Sequence, residues 1–388
     1  MLIFPEIQQR VPAMQRITVV GAGFGGLNAV RNIRKADRDV GIDLVAPRPE
    51  FVFYPGTIWI PTGREDPDSH RVLLDRFLKR INVVYHEASA EGLSDDGRRL
   101  ETSAGAIDND GLIIATGVRF LDRPDGLENA FVPCKGIAEM TRLRKRLGAL
   151  QNGTLAFGFA GNPDEASAIR GGPVFELLFG IETWLRRNGR RDDFRLVFFS
   201  PSEKPGRRLG DKAADRLLAE MQKRGIETKL GVAAKRLEAD RVVTDAGAFD
   251  SDLTVFMPGL SGAAWFDRTG LQRSAGGLLA ADEYCRAAGA ERVYVVGDAG
   301  SHAVPDWLPK RGHIAESQAN AAARNLLAEL AGRDPDKPFR PDLIYIVDMQ
   351  DKAMLIVRSN KVSIASPALK PLHWLKRAFE WNYKRRFQ

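Results

Sequence analysis

The run Ile17-Thr18-Val19-Val20 leads straight into Gly21-Ala22-Gly23-Phe24-Gly25-Gly26, and Leu27, Ala29, Val30 and Ile33 follow at helical spacing. β-Branched residues predict a strand, the glycines a tight turn, and the apolar spacing an amphipathic helix. In Gly21-x-Gly23-x-x-Gly26 each glycine has its own task. Gly21 permits the turn, Gly23 lets the backbone approach a pyrophosphate, and Gly26 allows the helix to pack closely on the strand. The phosphates would then rest on the helix N-terminus, held by free N–H groups and the helix dipole. Alone the pattern is weak, because a purely structural glycine turn looks the same.

Further along, the same alternation continues. A second strand is predicted over 42–45, a polar-aromatic loop over Phe51 to Gly63, and strands at Val83-Val84 and Gly111 to Ala115. From about residue 119 the order repeats, with strands over 154–159 and 194–199, a helix over 173–188 and another over 217–224. In the first of these helices Val174, Leu177, Leu178, Ile181 and Leu185 make one apolar stripe, Pro173 suits the first turn, and Asn188-Gly189 supplies the stop. Strands follow at Val242-Val243 and 253–257, and Val293 to Val296 returns as a strand like the first. Alternating α and β elements imply parallel sheets. The expected fold is α/β: two Rossmann-like dinucleotide-binding domains with a C-terminal amphipathic segment. Residues 1–118 and 280–340 would form the first domain, 119–279 the second, and 341–388 the last segment. A chain of 388 residues suits two or three domains.

With 44% hydrophobic residues the chain should be globular, and its formal charge of +7 is unevenly spread. Lys370, Lys376, Arg377, Lys384, Arg385 and Arg386 stand against Glu380 alone in the last nineteen residues, which leaves +5 of the +7 there and the rest nearly neutral. That distribution points to an anionic surface and not to a nucleic acid. No secretory leader is expected in Met1 to Arg16, and no apolar run reaches the roughly 18 residues a spanning helix needs. Cys134 and Cys285 lie far apart and match no metal-ligand spacing, nor do His302, His313 and His373, so a reducing compartment and no structural metal are expected.

Two later segments strengthen the first motif. Asp110 to Gly117, ending in Ala115-Thr116-Gly117, and Val293 to Asp298, ending in Gly297-Asp298, resemble the strand-turn motifs of two-dinucleotide-binding-domain flavoproteins. The resemblance implies FAD as cofactor, with Thr116, Gly117 and Gly297 near it and Asp298 holding its ribityl chain. One departure is plain. The acid expected after the second strand to bind the adenosine ribose is replaced by Ala46-Pro47-Arg48, and Arg48 either contacts the adenosine or phosphate or is simply solvated. A matching turn is also missing from the second half, where Gly158-Phe159-Ala160-Gly161-Asn162-Pro163 puts a methyl and a proline at glycine positions. A tight NAD(P)H pyrophosphate site is therefore not expected.

Phe51 to Gly63, Gly172-Pro173-Val174-Phe175-Glu176, Pro309 to Glu316 and Pro371 to Glu380 together resemble the sulfide:quinone oxidoreductase family and its relative, the flavoprotein of flavocytochrome c sulfide dehydrogenase. The resemblance implies a thiol relay beside the flavin. Cys134 falls where the family's first cysteine is expected, but Arg170 stands at the second position and no cysteine lies near Tyr345, the third. Cys134 is then either a nucleophile or a small buried hydrophobe. Glu176 matches a glutamate that handles protons, although a carboxylate in a first helical turn is favoured by the dipole alone. Lys310 would set positive charge beside the flavin edge where reduction develops an anion, the alternative being a solvated loop lysine.

Leu372, Leu375, Phe379, Tyr383 and Phe387 recur every three to four residues, flanked by Trp374 and Trp381, as in a helix lying in a membrane interface. A helix docked on the protein body or on a second copy would look similar. The leading expectation is an FAD enzyme, peripheral on the inner face of the cell membrane, passing electrons from sulfide or another small reductant to a quinone. A type II NADH dehydrogenase and a non-catalytic FAD-bound scaffold are the alternatives, and a homo-oligomer is compatible with either.

Overall fold

The computed structural model describes residues 14–302 and 305–388. Most of the Met1 to Arg16 segment discussed above lies outside these residues.

The first sheet has five parallel strands in the order 293–295, 111–114, 16–20, 41–46, 84–87. Its central strands Gly41–Ala46 and Gly111–Ile114 are buried at every position, as expected for a parallel sheet covered on both faces. Helix α1 (Phe24–Ala36) follows the glycine turn, and the short α2 (Asp75–Arg80) precedes the edge strand. Helix α3 (Ile137–Ala149) leads into the second sheet, again five parallel strands, ordered 130–131, 253–257, 153–159, 194–200, 227–230. Helices α4 (Gly172–Arg187) and α5 (Asp211–Lys223) belong to this half. Helix α6 (Gly312–Leu330) returns to the first half and packs on α1. Leu343–Asp348, Ala353–Arg358 and Ser363–Ala365 form an antiparallel sheet, and α7 (Lys370–Arg385) closes the chain.

Three elements differ from the sequence expectation. Phe51 to Gly63 is not an open loop: Glu50–Val52 is a strand, Tyr54–Trp59 a 3₁₀ helix, and Phe51, Phe53, Ile58, Trp59 and Ile60 are buried. Apolar side chains without a clean period predict no regular element, yet burial drives them inward whatever the backbone does. Helix α5 starts six residues earlier than its apolar stripe, at Asp211, where the first turn is polar. The region after residue 340 is not one amphipathic segment. Its sheet joins the core of the second half through Leu343, Val347 and Ile356, while Tyr383 and Phe387 of the final segment join the core of the first.

The proposed apolar face of α7 therefore divides. Its inward face carries His373, Lys376, Glu380 and Tyr383, followed by Phe387, whereas Trp374, Leu375, Phe379 and Trp381 point to solvent. Polar residues can line an inward face because each meets a distant partner. Lys376 donates to Glu176, and His373 Nδ1 donates to Asp348 at 2.6 Å while its Nε2 accepts from Arg64 at 2.7 Å. Glu380 Oε1 lies 3.2 Å from His70 Nδ1, and Asn28 of α1 donates to the Tyr383 hydroxyl at 3.0 Å. Phe387 sits edge-on to Phe77 at 5.2 Å between ring centroids.

Urea denaturation checks this division. Phe387→Ala should cost about 3–5 kcal/mol, while Trp374→Ala should stay within about 0.5 kcal/mol of the parent. Equal losses would contradict the inward face described above.

Candidate active site

Gly21 has φ +107°, and a Cβ there would run into the Ala115 carbonyl group. A Cβ on Gly26 would strike the Gly21 carbonyl, so the turn exists only because both side chains are missing. Gly23 and Gly117 are different, since a Cβ on either would meet nothing within 4 Å. Between them the α1 N-terminus has no side-chain cap, and the buried Thr116 hydroxyl has no hydrogen-bond partner among the described residues. Uncapped N–H groups, an unpaired hydroxyl and two glycines facing open space are what a dinucleotide pyrophosphate requires. These residues fit FAD.

A chain of hydrogen bonds holds the second motif. The Gly297 N–H donates to Gln318 Oε1 at 2.8 Å, Gln318 Nε2 lies 3.2 Å from His302 Nδ1, and His302 Nε2 lies 3.2 Å from the Val295 carbonyl oxygen. That carbonyl can only accept, so the imidazole proton is on Nε2, and Nδ1 accepts from the amide. Burial and the nearby Lys310 push the His302 pKa down to about 3, which keeps the ring neutral.

Beside this turn Asp298 Oδ2 accepts from Arg170. Burial alone would lower the Arg170 pKa, but Asp298 and Cys134 outweigh it and keep the guanidinium charged. Cys134, half-buried next to Arg170, has its thiol pKa raised by burial, with Arg170 opposing. Lys310 is only 8% exposed and donates to the Gly300 carbonyl, so it is no solvated loop lysine. Burial brings its pKa down to about 8, Arg170 adds to the effect, and Asp298 and Glu165 oppose it. Glu176 is buried one turn into α4, where its Oε1 accepts from Lys376 and from the Asp348 N–H at 3.0 Å.

Gly297, Asp298, Lys310 and Arg311 line one cleft with Ser167, and Cys134 and Arg170 adjoin it through Asp298. Arg48 is not gathered there. Its side chain is 74% exposed and lies 3.4 Å from Glu50. Gln318 and His302 hold the Gly297 turn, a role that no motif in the sequence assigns them. A buried glutamine within the alanine-rich α6 was the available signal. Arg170 meets Asp298, while Tyr345 lies against Arg311, and nothing local to either residue indicates these partners.

The family model of the pyridine nucleotide-disulphide oxidoreductases matches residues 15–321. The chain belongs to this family. It is an FAD-dependent oxidoreductase. It is also similar to the sulfide-quinone reductase of Aquifex aeolicus, 24% identical over 393 residues that span 94% of this chain and 89% of that protein. The crystal structure of the sulfide:quinone oxidoreductase from that bacterium has the same fold, with a TM-score of 0.87 over 96% of this chain and 91% of the other at 23% identity. The type II NADH:quinone oxidoreductase Ndh of Mycobacterium tuberculosis is 25% identical over 363 residues, 84% of this chain and 74% of its own.

The glycines separate binding from folding. Gly23→Val should deplete FAD from the purified protein while leaving the unfolding midpoint of the flavin-free form unchanged, because its side chain enters open space. Gly26→Val should lower both. Flavin absorbance per chain and urea titration report the two quantities, and full FAD content in Gly23→Val would refute the assignment of that space.

Proposed function

We propose that the protein passes electrons from a small reductant, sulfide or a related donor, through FAD to a membrane quinone. The observation that carries this reading is α7. Its inward face reaches Glu176 and α1, and its outward face presents Trp374, Leu375, Phe379 and Trp381, with Trp374 62% and Trp381 59% exposed. Lys370 and Arg385 are exposed on the same helix. Among the described residues no helix is long and apolar enough to cross a membrane. An exposed aromatic face with flanking cations suits a one-sided contact with an anionic lipid surface, close to where a quinone would enter.

The alternative donor, a nicotinamide nucleotide, finds little support. Where its pyrophosphate turn would lie, Gly161–Asn162 and Glu165–Ile169 form a small hairpin between the strand 153–159 and α4. A hairpin there replaces the direct strand-to-helix glycine turn on which such a site is built.

FAD, when bound, accepts two electrons from a donor and hands them to an acceptor. Gly21, Gly23, Gly26, Thr116, Gly117, Gly297 and Asp298 would hold it. Lys310 supplies a desolvated positive charge, and a fixed charge in a dry site stabilises developing negative charge more than one in water. Glu176, held by Lys376, offers a carboxylate for proton movement near the donor side. Cys134 beside Arg170 is the single thiol available there, so a disulfide relay of two cysteines is not part of this reading.

Three outcomes follow. Sulfide or a small thiol should bleach the flavin band anaerobically, and a soluble quinone should restore it, whereas NADH should reduce it slowly. Rapid bleaching by micromolar NADH would transfer the reading to a NADH:quinone oxidoreductase. With its pKa near 8, Lys310 is charged below that pH and loses its charge above it. Flavin reduction should therefore slow as pH rises through about 8, and Lys310→Met should remove this limb and cost about tenfold or more in rate below it. Each fully inserted apolar side chain contributes about 1.5–3 kcal/mol. Trp374→Ser/Phe379→Ser should accordingly reduce binding to anionic liposomes at least tenfold with FAD content intact. Deleting α7 is not an equivalent test, because Tyr383 and Phe387 leave the core with it.

A further inference from the structure

Gln318 sits where α6 passes the turn that carries Asp298, and only 3% of it is exposed. Both ends of its amide are used. Oε1 accepts from the Gly297 N–H at 2.8 Å, and Nε2 lies 3.2 Å from His302 Nδ1. A backbone N–H can only donate, so the amide has one possible orientation, in which Nε2 donates to the ring. The other ring nitrogen faces the Val295 carbonyl oxygen at 3.2 Å, which leaves the imidazole one tautomer. Gly297–Ala299 is a short 3₁₀ turn with no side-chain cap of its own. Gln318 supplies that cap from across α6.

Steric contacts fix the same arrangement. Gly297 has φ +70°, and a Cβ there would come within 3.3 Å of Ala315 Cβ, three residues before Gln318 on α6. A Cβ on Gly300 would strike the imidazole of His302, and the Phe339 ring stands edge-on to that imidazole at 5.4 Å between centroids. The Gly300 carbonyl in turn accepts from Lys310. Residues 297–302 thus form one fixed turn, and Asp298 and Lys310 are the charged groups it ties to the cleft. The groups facing His302 are the Lys310 ammonium, the Val295 and Gly300 carbonyls, the Gln318 amide and Phe339.

We propose that Gln318 and His302 are positioning residues for FAD: the neutral imidazole orients the Gln318 amide, and the amide holds the Gly297 turn so that Asp298 meets the cofactor. The inference depends on the FAD site alone, whichever donor and acceptor that site serves. Without Gln318 the Gly297 N–H is a buried donor with no acceptor, an arrangement that is costly enough to make the backbone shift towards another partner. Asp298, the next residue, moves with it. Without the neutral ring, the amide has no acceptor for its Nε2 and no reason to keep Oε1 on Gly297.

The test is FAD affinity against pH. FAD released from the diluted holoenzyme is followed by its fluorescence between about pH 5 and 7. The parent should show a flat profile, since His302 titrates at about 3 and Lys310 at about 8. Gln318→Leu removes both contacts and should raise the FAD dissociation constant at least tenfold at every pH. Gln318→Glu keeps an acceptor for the Gly297 N–H but turns a second oxygen towards the unprotonated His302 Nδ1. A proton on either partner restores that contact, so affinity should approach the parent's at the acid end and fall several-fold towards pH 7. A side chain that merely fills space would give no such profile. Should Gln318→Leu fail to fold, the profile of Gln318→Glu decides alone. Parent-like affinity in Gln318→Leu, or an affinity of Gln318→Glu that does not change with pH, would overturn the proposal.

Discussion

The contact between Gly26 and the Gly21 carbonyl is the constraint on which the rest of the molecule depends. Any side chain at either position collides with backbone, so α1 can approach the first strand only with both glycines present. That approach brings the uncapped end of α1 to the carboxyl edge of the sheet, next to Thr116 and the Gly297 turn. Three sequence segments separated by some 280 residues thereby meet at one edge. The cofactor site follows from strand order in a parallel sheet, where crossovers leave a crevice at the carboxyl ends.

A second organising feature is the set of paired charges beneath α7. Buried ion pairs contribute little net stability when complete, but removing one partner is costly because the other remains desolvated. Lys376 with Glu176, together with the hydrogen bond from His373 to Asp348, thus acts chiefly to dictate where α7 sits. The same contact ties Glu176 of α4 to the helix whose aromatic face points outward. A change in the position of α7 would be felt at Glu176 through a single side-chain contact.

Where the sequence resemblance implies two further thiols, this chain carries Arg170 and Tyr345. Two soft nucleophiles give way to a fixed cation and a neutral hydrogen-bond donor, neither of which exchanges electrons. Arg170 is held by Asp298, and the Tyr345 ring by the stacked guanidinium of Arg311. Near Asp298 the described residues offer one thiol, Cys134, beside the paired Arg170 and the buried Lys310.

Read from residues alone, the α/β class, both parallel sheets, α1, α4 and the three motif turns were legible, because each depends on local period or on glycines with a steric task. The departure from a glycine turn at Ala160 and Pro163 is a local fact of the same kind. The buried role of Phe51 to Ile60 was not legible, since packing there follows from a surface contributed by distant segments. Nor could spacing tell which side of α7 faces inward. Lys376 finds its partner 200 residues away, and a helical wheel contains no information about that carboxylate. Sequence determined which residue types were available for the site and where the backbone could turn. Tertiary structure alone decided which charges were paired, because pairing depends on distances between elements that no local pattern records.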